Sequence, residues 1–280
     1  MAPEFVKAFR KRQCTKHYAA DAEAIAIAVQ QPTMRFIAIK TEAQQARLAW
    51  HRARSGWIEA RTALINRLRG LLLEFGHAIA NGSTHFRRDL ALVLDDERLP
   101  ASLRQLLREA QLDLSQLDER IASADRSIRQ SGLHDDAAQR VQALSGVGPL
   151  TADALCATVS TPAAFQNGRQ FAAWLGLTPR QHSSGGKAKL GRISKAGDAY
   201  LRTLLIQGAR SALQCALRQT PDTLTRLQRW MVDLRRRLGW HKTLVAIDNK
   251  HARQLWVMLA KGEAYDADAW QRQAKVVQAA

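Results

Sequence analysis

The stretch LRQLLREAQLDLSQLDERIASADRSI, residues 103–128, decides the fold class. Its apolar positions Leu103, Leu107, Ala110, Leu114, Leu117, Ile121, Ala124 and Ile128 alternate spacings of four and three without a slip. A stripe with that period is the seam of a helix packed lengthwise on another helix. A partner helix precedes it in the chain. Trp50, Trp57, Leu64 and Leu71 recur every seven residues, with Leu68 and Phe75 beside them. Arg47, Arg52, Arg54, Arg61, Arg67 and Arg69 populate the remaining surface. A polar break, AIANGSTHFRRD, separates the two runs. The pattern predicts an antiparallel coiled-coil hairpin, which a second chain would complete, or two helices of an ordinary bundle.

On either side of this region, taken as residues 41–140, the chain changes character. Residues 1–40 are short and mixed. An alanine-rich helix is expected over Ala19–Val29, stopping before Gln31-Pro32, and RFIAIK reads as an edge strand. This is too little to fold alone and looks like the tail of a domain. Residues 141–280 hold more glycine and several helix starts. The expected fold is therefore mainly α.

The chain of 280 residues carries a formal net charge of +17, with 46% hydrophobic and 24% charged residues. That composition is globular. The charge favours a polyanionic partner, because each cation set against a phosphate releases condensed counterions. Nucleic acid is the first candidate. No apolar run approaches the ~20 residues of a spanning helix, and MAPEFVKAFRKRQ has no hydrophobic signal core. Cys14, Cys156 and Cys215 are widely spaced without a CxxC pair, which fits a reduced cytoplasmic setting, with packing roles rather than a zinc site.

Three short motifs bear on chemistry. In LSGVGPLTADALCA, residues 144–157, a helix ends at Leu144, Gly146-Val147-Gly148 turns tightly, and Pro149 opens the next helix. This is the shape of a helix-hairpin-helix. Its free N–H groups and the following helix N-terminus would suit a DNA phosphate without reading sequence. The plain alternative is an ordinary helical corner.

RQHSSGGKAKLGRISKAGDAYLR, residues 180–202, is the second motif. From Arg180 to Arg210, seven basic residues (Arg180, Lys187, Lys189, Arg192, Lys195, Arg202, Arg210) face one acid, Asp198. SSGGK lacks the length and spacing of a nucleotide-binding loop. It reads as a flexible basic loop on DNA, or as the setting of a nucleophile at Ser184, whose cations would stabilise phosphoryl charge. The third motif, KHYAADAEAI, places Asp21 and Glu23 two apart on a helix, where they do not face one metal together.

In order along the chain, these stretches resemble one family. LSGVGPLTA, FAAWLGLTPRQHSSGGKAKLGRISKAGDAYLRTLLIQGARSAL and WHKTLVAIDNKHARQLWVMLAKGEAY are similar to the C-terminal domain of the IS110-type (IS116/IS110/IS902) insertion-sequence transposases, in the branch typified by IS1111. FIAIKTEAQQARLAWHRARSGWIEARTALINRLRGLLLEFG resembles the family's passage from a RuvC-like nuclease domain (RNase H fold) into a coiled coil. FVKAFRKRQ and AADAEAI resemble the end of that nuclease domain. The resemblance implies a DNA recombinase, oligomeric and cytoplasmic at the nucleoid, that works with a structured guide RNA and Mg²⁺ held by four acids.

Carried over residue by residue, the resemblance makes Ser184 the nucleophile, with Ser183 as fallback. Asp21 becomes the last acid of an Asp-x-x-Asp pair and a metal ligand. The nucleic-acid contacts expected are Gly146, Gly148, Arg180, Lys187, Lys189, Arg192, Lys195 and Arg202. Tyr18 stands where the pair's first acid belongs, and a phenol is neutral at pH 7. The two earlier acids would lie ahead of residue 1. The expectation is thus an N-terminally truncated copy that binds DNA or RNA but does not cleave alone. A non-catalytic module inhibiting a full-length copy, and a structural coiled-coil protein, are the alternative functions.

Overall fold

The computed structural model describes residues 3–10, 18–32, 34, 36, 38–182 and 189–266. They fall into two units that divide between Thr41 and Glu42. The first holds α1 (Pro3–Lys7) and α2 (Tyr18–Val29), and α2 buries Ala24 and Ala28. The helix ends just ahead of Gln31-Pro32, as the sequence suggests. The edge strand expected of RFIAIK is absent from its described residues: Phe36 and Ile39 are exposed and unpaired in any sheet.

The second unit is built on two 33-residue helices, α3 (Glu42–Glu74) and α5 (Ala101–Leu133). They run antiparallel, as a ladder of ion pairs records. Arg54 pairs with Asp125 at 2.5 Å and Arg61 with Asp118 at 2.9 Å, so seven residues up one helix match seven down the other. On α5 the seam is the one its heptads predict, with Leu103, Leu107, Ala110, Leu114, Ile121, Ala124 and Ile128 buried.

On α3 the buried stripe keeps Leu68, as expected, but elsewhere lies one residue on: His51, Ile65 and Leu72 are inside rather than Trp50, Leu64 and Leu71, and Trp50 is 41% exposed. The indoles at 50 and 57 dominate the apolar pattern of the sequence and set its phase one residue early. The arginine surface is also reassigned in part, since Arg54 and Arg61 face the acids of α5.

The polar break between the long helices is itself a helix from its sixth residue. α4 (Ser83–Leu94) lays Phe86, Leu90 and Val93 into a cluster with Ile65, Leu68, Leu72, Leu103 and Leu107. Its apolar residues lie mostly beyond the window that looks polar, which hid it.

The remaining elements wrap the far end of the α3–α5 pair. They are α6 (Asp136–Val141), α7 (Pro149–Thr158), α8 (Gly168–Trp174), the strands β1 (Pro179–Gln181) and β2 (Leu190–Ile193), α9 (Ala199–Leu217), α10 (Arg226–Leu238) and α11 (Trp240–Ala260). Local chemistry starts several of these helices. Asp135, Asn167 and Asp198 cap α6, α8 and α9 through their carboxylate or amide oxygens. Thr225 and Gln228 form a reciprocal capping box on α10.

Phe171, Leu155, Leu175, Leu201 and Leu255 centre the main core. A second core joins Leu213, Met231, Leu244 and Ile247 from α9, α10 and α11. Trp256 is anchored by its indole N–H to the Pro162 carbonyl oxygen at 3.1 Å. Cys156 packs against the main core, and burial pushes its thiol up to about 12.

Candidate nucleic-acid interface

In its described residues, the basic stretch from Arg180 is part of a two-stranded ribbon. β1 and β2 pair antiparallel, Pro179 opposite Ile193 and Gln181 opposite Leu190. The N–H of His182 donates to the Lys189 carbonyl at 2.9 Å, and that of Ser194 to Thr178 at 2.8 Å. Ser183, Ser184 and Lys187 lie outside the described residues. Glycine makes the ribbon's base possible. Gly176 and Gly197 have φ of 74° and 96°, and a Cβ on either would sit 2.1 Å from a backbone oxygen, Ala196 or Trp174 respectively.

Arg180, Lys189, Arg192 and Lys195 are all exposed on or beside the ribbon. The Arg180 guanidinium donates to the Ser194 carbonyl at 3.1 Å, which holds it along the strands. Arg202 is placed differently. It is half-buried on α9 and donates to the Leu175 carbonyl at 3.1 Å, bracing the ribbon's base from below.

The GVG turn joins α6 to α7 as a helical corner. Gly146 takes φ of 90°, and a Cβ there would meet the Gly208 carbonyl oxygen at 2.4 Å; Gly208 meets Gly146 in the same way at 2.1 Å. The turn is therefore seated directly on the backbone of α9. Gly148 is exposed, and among the described residues nothing lies within 4 Å of its Cβ position, so the entry to α7 is open there.

Behind the turn lies a polar network that no sequence motif announces. Asp153 on α7 is fully buried. It accepts from Arg47 Nε at 2.9 Å and from His51 Nε2 at 2.9 Å. Arg47 also donates to Asp135 at 2.8 Å. A carboxylate only accepts, so His51 carries its proton on Nε2, and the Tyr200 hydroxyl donates to Nδ1 at 2.9 Å. Burial alone would raise the Asp153 carboxyl, but the His51 and Arg47 hydrogen bonds outweigh it and hold the group below its ordinary value. The network ties α3 to α6, α7 and α9, and so fixes the long helices to the turn and the ribbon. A His in the buried heptad phase and an Asp inside an apolar helix are the signals that would have revealed it.

A second buried pair has the opposite character. Asp248 and His251 share one side of α11, and among the described residues neither the carboxylate oxygens of Asp248 nor Nε2 of His251 has a hydrogen-bond partner. Burial pushes Asp248 up to about 8 and His251 down to about 4, so both are neutral at pH 7. Next to Asp248, Asn249 donates to the Leu177 carbonyl at 3.3 Å.

In the first unit, Asp21 is half-exposed and pairs with Arg10 Nε at 3.1 Å. Tyr18 opens α2 and is exposed. Among the described residues, no group of three or more His, Cys, Asp or Glu side chains converges as metal ligands. One carboxylate already engaged by an arginine does not fit Mg²⁺, which takes several oxygen donors in near-octahedral array. Among the described residues no helix is long and apolar enough to cross a membrane.

Comparison with known proteins places these features in a family. The model of the Transposase IS116/IS110/IS902 family matches residues 138–224, which span the turn, the ribbon and α9. A Pseudomonas aeruginosa protein described as "Probable family 20 transposase" is 43% identical over 268 residues, covering 95% of this chain and 78% of its own. The transposase for insertion sequence element IS1111A of Coxiella burnetii is 37% identical over 271 residues, with 96% and 73% covered. That for element IS1328 of Yersinia enterocolitica is 35% identical over 265 residues, with 95% and 77% covered.

Proposed function

The chain belongs to the IS116/IS110/IS902 family of transposases, and on that premise we propose that it binds DNA in the transposition of an insertion sequence through its basic ribbon. One observation carries this reading. Two short strands exposed on both faces bear Arg180 and Arg192, with Lys189 and Lys195 at their ends, on a base that only glycine permits. A two-stranded ribbon fits the major groove of DNA. Exposed cations on a rigid mount bind phosphates without reading sequence. The open turn at Gly148, leading into the N-terminus of α7, supplies a second phosphate contact.

Ser184, which falls between the two strands in the sequence, is the proposed nucleophile, with Ser183 as its substitute. Its Oγ would attack a DNA phosphorus, forming a serine–phosphate ester as one strand P–O bond breaks. The hydroxyl proton goes to the departing sugar oxygen, and the ribbon's cations offset the developing phosphoryl charge. A structured RNA partner and self-association through the α3–α5 pair as a coiled coil belong to the same proposal.

A second reading is favoured by Asp21, paired with Arg10, and by Tyr18 in the place of an acid. On that reading the chain binds nucleic acid without cutting, and would inhibit a copy that does cut.

Two measurements test these readings. Arg180→Ala with Arg192→Ala should weaken salt-dependent binding to duplex DNA and lower the slope of log affinity against log salt by about 2, near 0.9 per phosphate lost. An unchanged slope rejects the ribbon. With Mg²⁺ and the element's RNA added, a covalent protein–DNA adduct that disappears in Ser184→Ala supports the nucleophile. Binding without any adduct supports the non-cutting module.

A further inference from the structure

From Arg226 to Arg253 the sequence carries eight Lys or Arg residues against two acids, Asp233 and Asp248. Asp248 is buried, so the exposed charge rests on the surface of α10 and α11. Arg226, Arg229, Trp230, Asp233, Leu234 and Arg237 line a shallow cavity of about 450 Å³ on α10. Positions 226, 229, 233 and 237 share one face of the helix. The first and last of them are about 16 Å apart along the axis, at 1.5 Å per residue.

Arg229 and Arg237 are exposed, and among the described residues neither has a carboxylate within ion-pair distance. The acid of the cavity, Asp233, faces Arg236 at 3.8 Å. Lys250 of α11 places its ammonium over the Trp230 ring, 5.1 Å from the centroid. Burial, then Arg253 and Arg226, lowers the Lys250 ammonium to about 8, a sign that positive charge is crowded there.

We infer that this α10–α11 face is a second DNA-binding surface, which holds the phosphate backbone of a duplex rather than unpaired bases. Three observations select that partner. The charge is cationic and only thinly offset, which suits a polyphosphate. The aromatic ring at its centre already has Lys250 on one face and the α9–α10–α11 core beside it, so it is no platform for a splayed base. The surface also adjoins the proposed ribbon site through consecutive residues of α11: Asn249 holds the ribbon's base at Leu177, and Lys250 covers Trp230. The inference shares its partner with the ribbon reading but stands on separate residues.

The test uses the full 280-residue chain, a labelled random-sequence DNA duplex and a single-stranded RNA of equal length, with anisotropy followed over a salt series. Arg229→Ala with Arg237→Ala should weaken duplex binding about tenfold or more and lower the salt slope by about 2. Arg229→Lys with Arg237→Lys should restore most of both, because backbone contact needs charge more than fork geometry. Both side chains are exposed, so the thermal midpoint should stay put.

Unchanged duplex affinity and slope in the alanine pair overturn the inference, even if the ribbon pair Arg180→Ala, Arg192→Ala loses binding. A loss confined to the RNA overturns the assignment to duplex DNA. If the α10 pair loses binding while the ribbon pair does not, this surface stands and the ribbon reading falls.

Discussion

Asp153 and Asp248 are both fully buried in the same unit, yet they sit in opposite electrostatic worlds. Asp153 on α7 meets Arg47 and His51, stays ionised, and joins four helices. Asp248 on α11 meets no hydrogen-bond partner for either oxygen among the described residues and keeps its proton to about pH 8. What separates them is not depth but company. A buried carboxylate is retained when guanidinium and imidazole donors replace water, and is neutralised when they do not.

The largest expected effect breaks the first region. Arg47→Ala removes two ion pairs and leaves Asp153 buried with one donor fewer, which should cost about 3–5 kcal/mol in chemical denaturation. Lysine at the same position should rescue little, since one ammonium does not span Asp153 and Asp135 as a guanidinium does.

The second region should respond with the opposite sign. Asp248→Leu removes an unsatisfied buried group and should raise stability at pH 7 by about 1–3 kcal/mol. A loss instead would mean that the carboxyl has a partner and that the contrast is false.

Acidity sharpens the same contrast. The folded pKa of Asp248 is raised from 3.8 to about 8, so its contribution is fully present below 3.8 and is lost as pH climbs to about 8. His251 runs the other way, lowered from 6.5 to about 4, and costs stability as pH falls through that window. Asp153, held below its ordinary value, stabilises at neutral pH and loses that contribution in acid. Asp248→Leu should therefore flatten the decline of the thermal midpoint between about pH 4 and 8, leaving the acid limb in place.

The smallest effect is a control on burial. Arg61 pairs with Asp118 at the partly exposed edge of α3 and α5, where solvent screens the charges. Arg61→Ala should cost only about 0.2–1 kcal/mol and lose even that in high salt.

These sites also mark where the sequence was readable. The α5 seam could be read because its heptads are unbroken, and the mainly helical class followed from it. The phase of α3 was misjudged because Trp50 and Trp57 outweigh His51 on any apolar scale, whereas His51 is inside through its bonds to Asp153 and Tyr200. No local period announces a bond between residues 102 positions apart. The basic stretch was visible as charge, but its strands were not. A three-residue and a four-residue strand, both exposed, carry no alternation to detect. Gly176 and Gly197 did stand in the sequence, yet their need for positive φ emerges only against the backbone of Ala196 and Trp174.

The contact between Gly146 and Gly208 has a metric consequence. α9 starts at Ala199, at the foot of the ribbon, and passes beneath the GVG turn at Gly208. Nine residues of straight helix set that interval at about 13–14 Å, and two interlocked glycines leave no slack for it to slide. A polymer that touches both ends is thereby measured against a fixed gauge of about four nucleotide steps at 3.4 Å each. The footprint on such a strand would be set by the pitch of one helix, not by the reach of any side chain.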